Sequence, residues 1–340
     1  MPGPGLNRTE RPRRKNAFDA GLVLGVDRFN KDTGRDRHRS DAPGWLMDQA
    51  TGLIRDEYAR RRSCPVCGGQ WLQPLFIKAG FPHGRCPECG LIYVNPVLTE
   101  EAAKRYYQEE SSWVQVLTSG AQIEMDRLKY AYGLDVAAPY FSGPRVLDVG
   151  AGTGLFVETA AARGLQPTAL ELNRANVDRL RAGGFEVIDR PLEETRIEAD
   201  TFDLVSLWEV IEHIVEPKPL LNHIARVLKP DGLLMILAPN ADSLVTRILH
   251  EKSGTFGGHS HVNHFNLKTL TRLLAETGFS LLEAETLITE LGTINNHLSF
   301  EDPYLGRASE VLDILTPELI HDRLLGSKLF VLAVNKKGRG

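Results

Sequence analysis

The stretch that decides the fold is Arg145-Val-Leu-Asp-Val-Gly-Ala-Gly-Thr-Gly154, in which an apolar run leads straight into a glycine-rich turn. The apolar run predicts a strand, and the helical pattern that begins at Leu155 predicts a helix directly after the glycines. Glycine lets the backbone turn sharply and come close to a ligand. Since parallel sheets bind ligands beyond the C-terminal ends of their strands, the stretch predicts a ligand-binding loop at such an edge.

Strand and helix patterns alternate along the rest of the chain. Further strands are predicted at Pro167–Glu171, Phe185–Asp189, Phe202–Trp208, Leu233–Ala238, Ser280–Ile288 and Lys328–Asn335. Helices are predicted at Leu155–Arg163, Arg174–Ala182, Pro217–Lys229 and Lys268–Thr277, with a turn at Pro230-Asp231-Gly232. This alternation is typical of βαβ units, so the sequence predicts an α/β protein with a mostly parallel sheet.

Two carboxylates flank the glycine loop. Glu171 ends the next predicted strand, where a carboxylate can accept hydrogen bonds from both hydroxyls of a ribose. Asp148 lies two residues before Gly150, and a carboxylate there suits a cationic ligand and would repel a pyrophosphate. The glycines follow a G-x-G-x-G spacing and not the G-x-G-x-x-G spacing of dinucleotide enzymes. The loop therefore predicts a ligand that contains a ribose and is cationic, for example one with an ammonium group.

Four motifs in order resemble the class I methyltransferases. They are LDVGAGTG at 147–154, ALEL at 169–172, FDLVSLWEVIEHI at 202–214 and RVLKPDGLLMILAPN at 226–240. The resemblance covers residues 144–340. It implies a Rossmann-like seven-stranded sheet with a reversed last hairpin, bound S-adenosylmethionine and methyl transfer.

The same resemblance implies positions for the cofactor. Asp148, Gly150 and Gly152 would hold its methionine part, and Glu171 its ribose. The loop Arg190–Leu192 would border the adenine, and the residues after the fourth strand would lie beside the methionine end. The complete expected set is Asp148, Gly150, Ala151, Gly152, Gly154, Glu171, Leu172, Leu192, Trp208 and Glu209.

All four cysteines lie in two C-x-x-C pairs, Cys64 with Cys67 and Cys86 with Cys89, separated by 18 residues. This spacing is typical of a zinc site, and four thiolates leave no open position for water. The pattern therefore predicts a structural zinc ion. The segment CPVCGG…RCPECGLIYVNP resembles the zinc ribbon that precedes the methyltransferase domain in enzymes of bacterial polysaccharide and secondary metabolism, including sugar methyltransferases.

Three histidines, His259, His261 and His264, cluster between the fifth strand and the next helix. In the resembling family a loop at this position overlies the acceptor. Imidazole can take a proton from a hydroxyl near neutral pH, so these residues are the candidate catalytic bases, with His261 favoured. His264 is the nearest to the helix start and is the most suited to a structural role.

A second cluster, Glu209, Glu212 and His213, follows the fourth strand. It resembles the acidic and histidine cluster of ubiquinone-pathway O-methyltransferases and could bind a divalent ion. The alternative is that it shapes the cofactor pocket without a metal, as the same pattern does in other class I methyltransferases.

The charge and the composition limit the partners. The formal net charge of −4 gives no general attraction to nucleic acid or to an anionic membrane. The basic residues within 1–15 fit a solvated tail, with a nucleic-acid or acidic-lipid contact as the alternative. Neither a membrane span nor a secretory signal is predicted, so we expect a cytoplasmic protein.

These features predict four segments: a disordered basic tail at 1–60, a zinc ribbon at 61–97, a helical connector at 98–143 and a methyltransferase domain at 144–340. The favoured reaction is O-methylation of a sugar, a glycan or another hydroxylated small molecule. C-methylation is less favoured, because the C-methyltransferases of this kind usually carry a longer C-terminal domain. An RNA methyltransferase and a non-catalytic adaptor are the alternatives, and the oligomeric state is left open.

Overall fold

The computed structural model describes residues 43–109, 120–294, 297 and 314–336. Of the disordered tail predicted at 1–60, residues 1–42 lie outside the described residues. None of the described helices is long and apolar enough to cross a bilayer.

The cysteine-containing module is an antiparallel β-structure. Its strands are β1 (Ala59–Arg60), β2 (Gln73–Lys78), β3 (Phe81–Arg85), β4 (Ile92–Val94) and β5 (Val97–Leu98). Strands β2, β3 and β4 pair in sequence, and β1 pairs with β5. The β1–β5 pair joins residues 59–60 to residues 97–98, so the module begins two residues before and ends one residue after the predicted bounds of 61 and 97.

Helices follow the module and enclose a second sheet. They are α1 (Glu100–Glu109), α2 (Gly120–Ala137), α3 (Leu155–Ala161), α4 (Arg174–Ala182), α5 (Pro217–Val227), α6 (Leu244–Leu249), α7 (Leu267–Glu276) and α8 (Pro317–Asp322). Side-chain caps fix several starts, as the sequence indicates. Thr99 caps α1 through the amide of Ala102, and Asn173 caps α4 through the amides of Ala175 and Asn176.

The second sheet is formed by β6 (Arg145–Val149), β7 (Gln166–Leu170), β8 (Glu186–Ile188), β9 (Phe202–Trp208), β10 (Leu228–Pro239), β12 (Phe279–Leu287) and β13 (Lys328–Asn335). Its order is β12-β13-β10-β9-β6-β7-β8, and β13 runs antiparallel to both of its neighbours. The other pairs are parallel. The expected seven-stranded sheet with a reversed last hairpin is thus confirmed. Its central strand β9 is buried along its whole length, which explains its continuous apolar run.

The turn predicted at Pro230–Gly232 is absorbed into β10. The strand begins at Leu228, and its pairing with β9 is irregular between Leu228 and Leu233. Asp231 takes a positive φ of 60° within this irregular stretch. Proline and glycine here mark a bulge and not the end of an element.

Residues 43–60 differ from the disordered segment that the sequence predicts. Leu46 and Ile54 are 0% and 5% exposed, and they pack in one cluster with Phe81 of the module. A bridge between Met47 and Ile54 closes this turn. The apolar residues here stand mainly in two short runs, Trp45–Met47 and Leu53–Ile54, which are too short to show a helix or strand period, so the sequence does not reveal that they are buried.

A short strand, β11 (Asn263–His264), joins the two parts of the molecule. It lies in the chain between β10 and α7 but pairs antiparallel with β4 of the module. The order of that sheet is therefore β11-β4-β3-β2. Because one of its strands comes from the segment that carries the candidate histidines, the module and that segment share backbone hydrogen bonds.

Candidate functional site

The glycine loop lies at the C-terminal end of β6, as expected. Gly150, Gly152 and Gly154 have positive φ angles of 77°, 54° and 89°. The amides of Gly150 and Ala151 both donate to the carbonyl of Leu170, at 2.8 and 3.0 Å. The left-handed backbone conformation thus lets the loop lie close to the end of β7.

Glu171 reaches back over this loop. Its carboxylate accepts hydrogen bonds from the amides of Gly152 at 2.6 Å and of Leu172 and Asn173, each at 2.7 Å. Three main-chain donors therefore fix the carboxylate at the mouth of the loop. Two oxygens carry about four acceptor sites, so hydrogen-bonding capacity remains for a ribose hydroxyl. Leu172 is 59% exposed beside it, in a position to cover a ligand.

Asp148 is buried at 2% exposure and accepts a hydrogen bond from the hydroxyl of Ser206 at 2.7 Å. Burial raises the pKa of Asp148 to about 7, and the nearby charge of Glu171 adds to the rise. A cationic ligand would stabilise the ionised carboxylate. The buried carboxylate therefore fits an ammonium group, which S-adenosylmethionine carries. Sequence reasoning missed Ser206, although pairing of β6 with β9 places it directly opposite Asp148.

Trp208 is the last residue of β9, and its ring packs in an aromatic cluster. The ring centroids of Tyr130, Phe156 and Phe330 lie 4.9, 5.6 and 6.0 Å from that of Trp208. Its indole nitrogen is buried and has no hydrogen-bond partner among the described residues. Leu192 is also buried, at 1% exposure. Contacts of these two side chains with a cofactor stay predictions.

Glu209, the first residue after β9, lies between two lysines. Lys129 of α2 donates to it at 3.2 Å, and Lys328 of β13 donates to its other carboxylate oxygen. Lys129 is 4% exposed, and it also pairs with Asp126 at 2.7 Å. Although burial opposes it, the charges of Glu209 and Asp126 hold the pKa of Lys129 above its usual value. The sequence gives no signal for either lysine, since both lie outside the recognised motifs.

The glycine loop gives a matched pair of variants. Gly150→Ala is expected to destabilise the domain and to weaken cofactor binding, because the new Cβ would lie 2.6 Å from Val210. Gly164→Ala also places an alanine at a positive φ, 79°, but nothing lies within 4 Å of its Cβ. The control should therefore show only the cost of a left-handed alanine, about 1–2 kcal/mol. Chemical denaturation and calorimetry check both variants. Equal losses in the two would contradict close packing at Gly150.

The four cysteine sulfurs form a compact cluster. The Sγ atoms of Cys64 and Cys89 are 3.5 Å apart, and those of Cys67 and Cys86 are 3.4 Å apart. All four lie within 4.8 Å of one another. Zinc–sulfur bonds of about 2.3 Å imply sulfur–sulfur separations of about 3.8 Å in a tetrahedral site, so the arrangement fits zinc. All four cysteines are free, which argues against disulfides. Burial raises the pKa of the Cys89 thiol to about 11, so a cation is needed to hold the thiolate.

A second group that could hold a metal ion brings together Glu212, His213 and His261, whose ligand atoms lie within 4.8 Å of one another. The carboxylate of Glu212 is buried, and neither oxygen has a hydrogen-bond partner among the described residues. Burial raises the pKa of Glu212 to about 8, and the charge of Glu209 adds to the rise. Such a carboxylate requires a cation or a proton.

The two imidazoles of this group are oriented by main-chain carbonyls. Nδ1 of His213 lies 2.9 Å from the carbonyl of Ser260, and Nδ1 of His261 lies 3.2 Å from that of Thr255. A carbonyl can only accept, so each Nδ1 carries the proton and each Nε2 offers a lone pair. This is the usual orientation of histidine ligands. Of the three residues, the sequence pattern indicates Glu212 and His213 as possible ligands, but not His261 in this role.

The three candidate bases pack against different neighbours in the structure. His261 lies beside His213, with ring centroids 4.8 Å apart, and burial lowers its pKa to about 3. His259 packs against Tyr106, with centroids 4.9 Å apart. His264 is 2% exposed within β11 and stacks on His83 of the module at 5.1 Å. The placement of His264 suits the structural role, and a base role for any of the three stays a prediction.

Comparison with known proteins gives the class. Residues 123–284 match a protein-family model described as a methyltransferase domain. The mitochondrial ubiquinone biosynthesis O-methyltransferase of Schizosaccharomyces pombe is 31% identical over 118 residues, which are 32% of this chain and 42% of that protein. The enzyme of the same name from Vibrio parahaemolyticus is 27% identical over 227 residues, covering 62% of this chain and 90% of that protein. The chain spans 42–44% of the length of the first curated relatives.

Solved structures of methyltransferases also resemble part of this chain. A SAM-dependent methyltransferase from Archaeoglobus fulgidus has 22% identity and a TM-score of 0.44, covering 62% of this chain and 94% of that one. A 1,6-didemethyltoxoflavin-N1-methyltransferase from Burkholderia thailandensis has 16% identity and a TM-score of 0.47, covering 78% and 100%.

The family match, the strand order and the glycine loop define the class together. Residues 123–284 match a methyltransferase domain, and the sheet that they help to form has the strand order of the Rossmann-like class I fold, the class that uses S-adenosylmethionine.

Proposed function

We propose that the protein transfers a methyl group from S-adenosylmethionine to an oxygen of a hydroxylated small molecule, with a sugar or a glycan as the favoured acceptor. The observation that carries the proposal is the glycine loop between a buried Asp148 and a main-chain-fixed Glu171. The names of the curated relatives, ubiquinone biosynthesis O-methyltransferases, support oxygen as the methyl acceptor.

The chain's own residues bind and orient the cofactor. Asp148 faces the ammonium group, and Glu171 accepts from the ribose. S-adenosylmethionine supplies a methyl group on a sulfonium, whose leaving thioether needs no acid. The main contribution of the protein is then alignment of the two reactants and exclusion of water.

The acceptor side requires a way to withdraw the hydroxyl proton. A histidine with a pKa near 3 is a weak base at neutral pH, so proton removal by His261 alone would be inefficient. The group Glu212, His213 and His261 fits a divalent cation instead, with two histidines and one carboxylate. Such an ion would lower the pKa of a bound hydroxyl. We propose that these three residues hold it, and that Glu209, already bound by two lysines, does not.

The metal proposal is tested with manganese, which prefers oxygen and nitrogen ligands over thiolates and so leaves a zinc-filled cysteine cluster alone. Mn²⁺ added to the zinc-loaded protein should bind at one site per chain in an electron paramagnetic resonance titration. Glu212→Gln should weaken this binding by at least about 10- to 100-fold, since loss of an outer-shell partner alone commonly has that effect. Glu198→Gln, an exposed carboxylate outside this group, is the matched control. Equal manganese affinity in both variants would reject the site.

The acceptor is tested by transfer of a tritiated methyl group. The panel contains a nucleotide-activated sugar, a glycan, a catechol and ribosomal RNA. Label on an oxygen of one of the first three supports the proposal, and mass spectrometry locates the atom. Label on RNA alone would support the RNA methyltransferase, and cofactor binding without transfer to any member would support the adaptor.

A further inference from the structure

Arg62 connects the cysteine module to the acceptor side of the catalytic domain. Its guanidinium donates to the carbonyls of Val215 at 2.6 Å and Val262 at 2.7 Å, and to the side chain of Asn263 at 2.9 Å. It also donates to the carbonyl of Val94 at the end of β4. One planar side chain, two residues before Cys64, thus joins three separate stretches of backbone.

Two of these stretches carry the candidate acceptor-side ligands. Val215 follows His213 by two residues, and Val262 directly follows His261. The amides of Val262 and Asn263 donate to the carbonyl of Glu212 at 2.9 and 3.1 Å. The two backbone stretches that carry the three ligands are therefore bound to each other and to Arg62.

The module makes further contacts with the segment before His261. Lys78 donates to the carbonyl of Ser253 at 2.7 Å. Gly258 packs so closely on Phe81 that a Cβ there would lie 2.3 Å from the Phe81 side chain. The amide of Val94 donates to the carbonyl of Val262 at 3.0 Å, beside the β4–β11 pairing. The acceptor-side segment is thus built against the module along much of its length.

We propose that Arg62 is a positioning residue through which the folded, metal-loaded cysteine module holds Glu212, His213 and His261 in place. The role of these three residues rests on the function proposed above, but the mechanical coupling does not. In this account the module forms a wall of the acceptor site. Release of the metal from Cys64 and its partners therefore loosens the acceptor side while the glycine loop stays ordered.

The guanidinium suits this role because of its charge and shape. Arg62 is 9% exposed, and burial lowers its pKa to about 10, so it stays ionised at neutral pH. Its planar fork serves several acceptors at once, which the ammonium of a lysine cannot reproduce. Removing it takes one charged donor away from the carbonyls of Val94, Val215 and Val262 and from the side-chain oxygen of Asn263, and Val262 then keeps the amide of Val94. A hydrogen bond to a charged group shifts an equilibrium by about ten- to a hundredfold.

The experiment is hydrogen exchange followed by mass spectrometry on the zinc-loaded protein without added cofactor or acceptor. In Arg62→Met the amides of residues 260–264 and 212–215 should lose protection by about tenfold or more. Those of residues 145–154 should not change. Arg62→Lys should restore little of the protection, because it cannot serve the separate acceptors. Arg61→Met, the exposed neighbour, is the matched control and should match the wild type.

A second measurement covers the case in which Arg62→Met does not fold. Chelation of zinc from the wild-type protein should produce the same loss of protection in residues 260–264, again with residues 145–154 unchanged. Unchanged exchange in Arg62→Met, or after complete zinc removal, would overturn the coupling. A uniform loss over the whole chain after chelation would also overturn it, since the module would then support the fold in general. None of these results depends on methyl transfer, so failure here is distinct from failure of the proposed function.

Discussion

Replacing Cys86 with serine is expected to abolish tight zinc binding and to unfold the cysteine module. Cys86 is fully buried, with its sulfur 3.4 Å from that of Cys67. Three remaining thiolates cannot complete a closed tetrahedral shell. Structural zinc contributes about 10–16 kcal/mol to folding in small zinc domains, so this should be the largest effect of any single substitution. Elemental analysis and thermal unfolding of protein purified without added metal measure it.

Glu88→Gln is the control for this variant. Glu88 lies between the two cysteines of the second pair, and its carboxylate is 3.8 Å from the sulfur of Cys67. The Glu88→Gln substitution changes the local charge but removes no thiolate, so zinc should remain at one ion per chain. If Cys86→Ser kept both its zinc and its thermal stability, a tetrahedral four-thiolate site would be ruled out.

The second large effect is expected for Glu171→Ala, which should bind S-adenosylmethionine more weakly by about 1.5–3 kcal/mol, or roughly ten- to 150-fold. The variant loses the proposed acceptor of the ribose hydroxyls and also the bond that holds the Gly152 amide. The main sheet should remain folded, because Glu171 lies just outside β7. Glu198→Ala, an exposed carboxylate away from the loop, is the control. Calorimetry that gives both variants the wild-type affinity would remove Glu171 from the cofactor site.

The parts of the fold with strong local signals could be predicted from the sequence. Strands β6, β9 and β13 were predicted with the bounds that the structure shows, since each is a short apolar run with a clear break at its ends. The glycine loop and the cysteine pairs are local as well. In both cases a few consecutive residues determine the backbone conformation or supply the ligands. The sequence pattern can therefore be recognised without knowledge of the fold.

The acceptor-side cluster could be predicted only in part, because the fold brings its members together. Glu212 and His213 are adjacent in sequence and were recognised, but His261 reaches them only after β10 and the following loop. Glu209 was grouped with them by motif, whereas Lys129 and Lys328 bind it from two distant elements. Ion pairs of this kind leave no period or spacing in the sequence.

The connection between the two parts of the molecule was also beyond sequence reasoning. Arg62 is one of several basic residues before Cys64 in the sequence, and only its burial and its hydrogen bonds in the fold distinguish it from the others. Strand β11 has two residues, too few for an alternating pattern. The division into a zinc ribbon at 61–97 and a methyltransferase domain at 144–340 therefore does not include the sheet to which both segments contribute.

The central claim is that the loop between Asp148 and Glu171 is a site for S-adenosylmethionine. Its most direct test is a calorimetric titration of the wild-type protein with S-adenosylmethionine, repeated with NAD as the competing nucleotide. We expect saturable, equimolar binding of S-adenosylmethionine and no binding of NAD, because Asp148 attracts an ammonium group and repels a pyrophosphate. Tight binding of NAD, or no binding of S-adenosylmethionine to a folded and zinc-loaded protein, would contradict it.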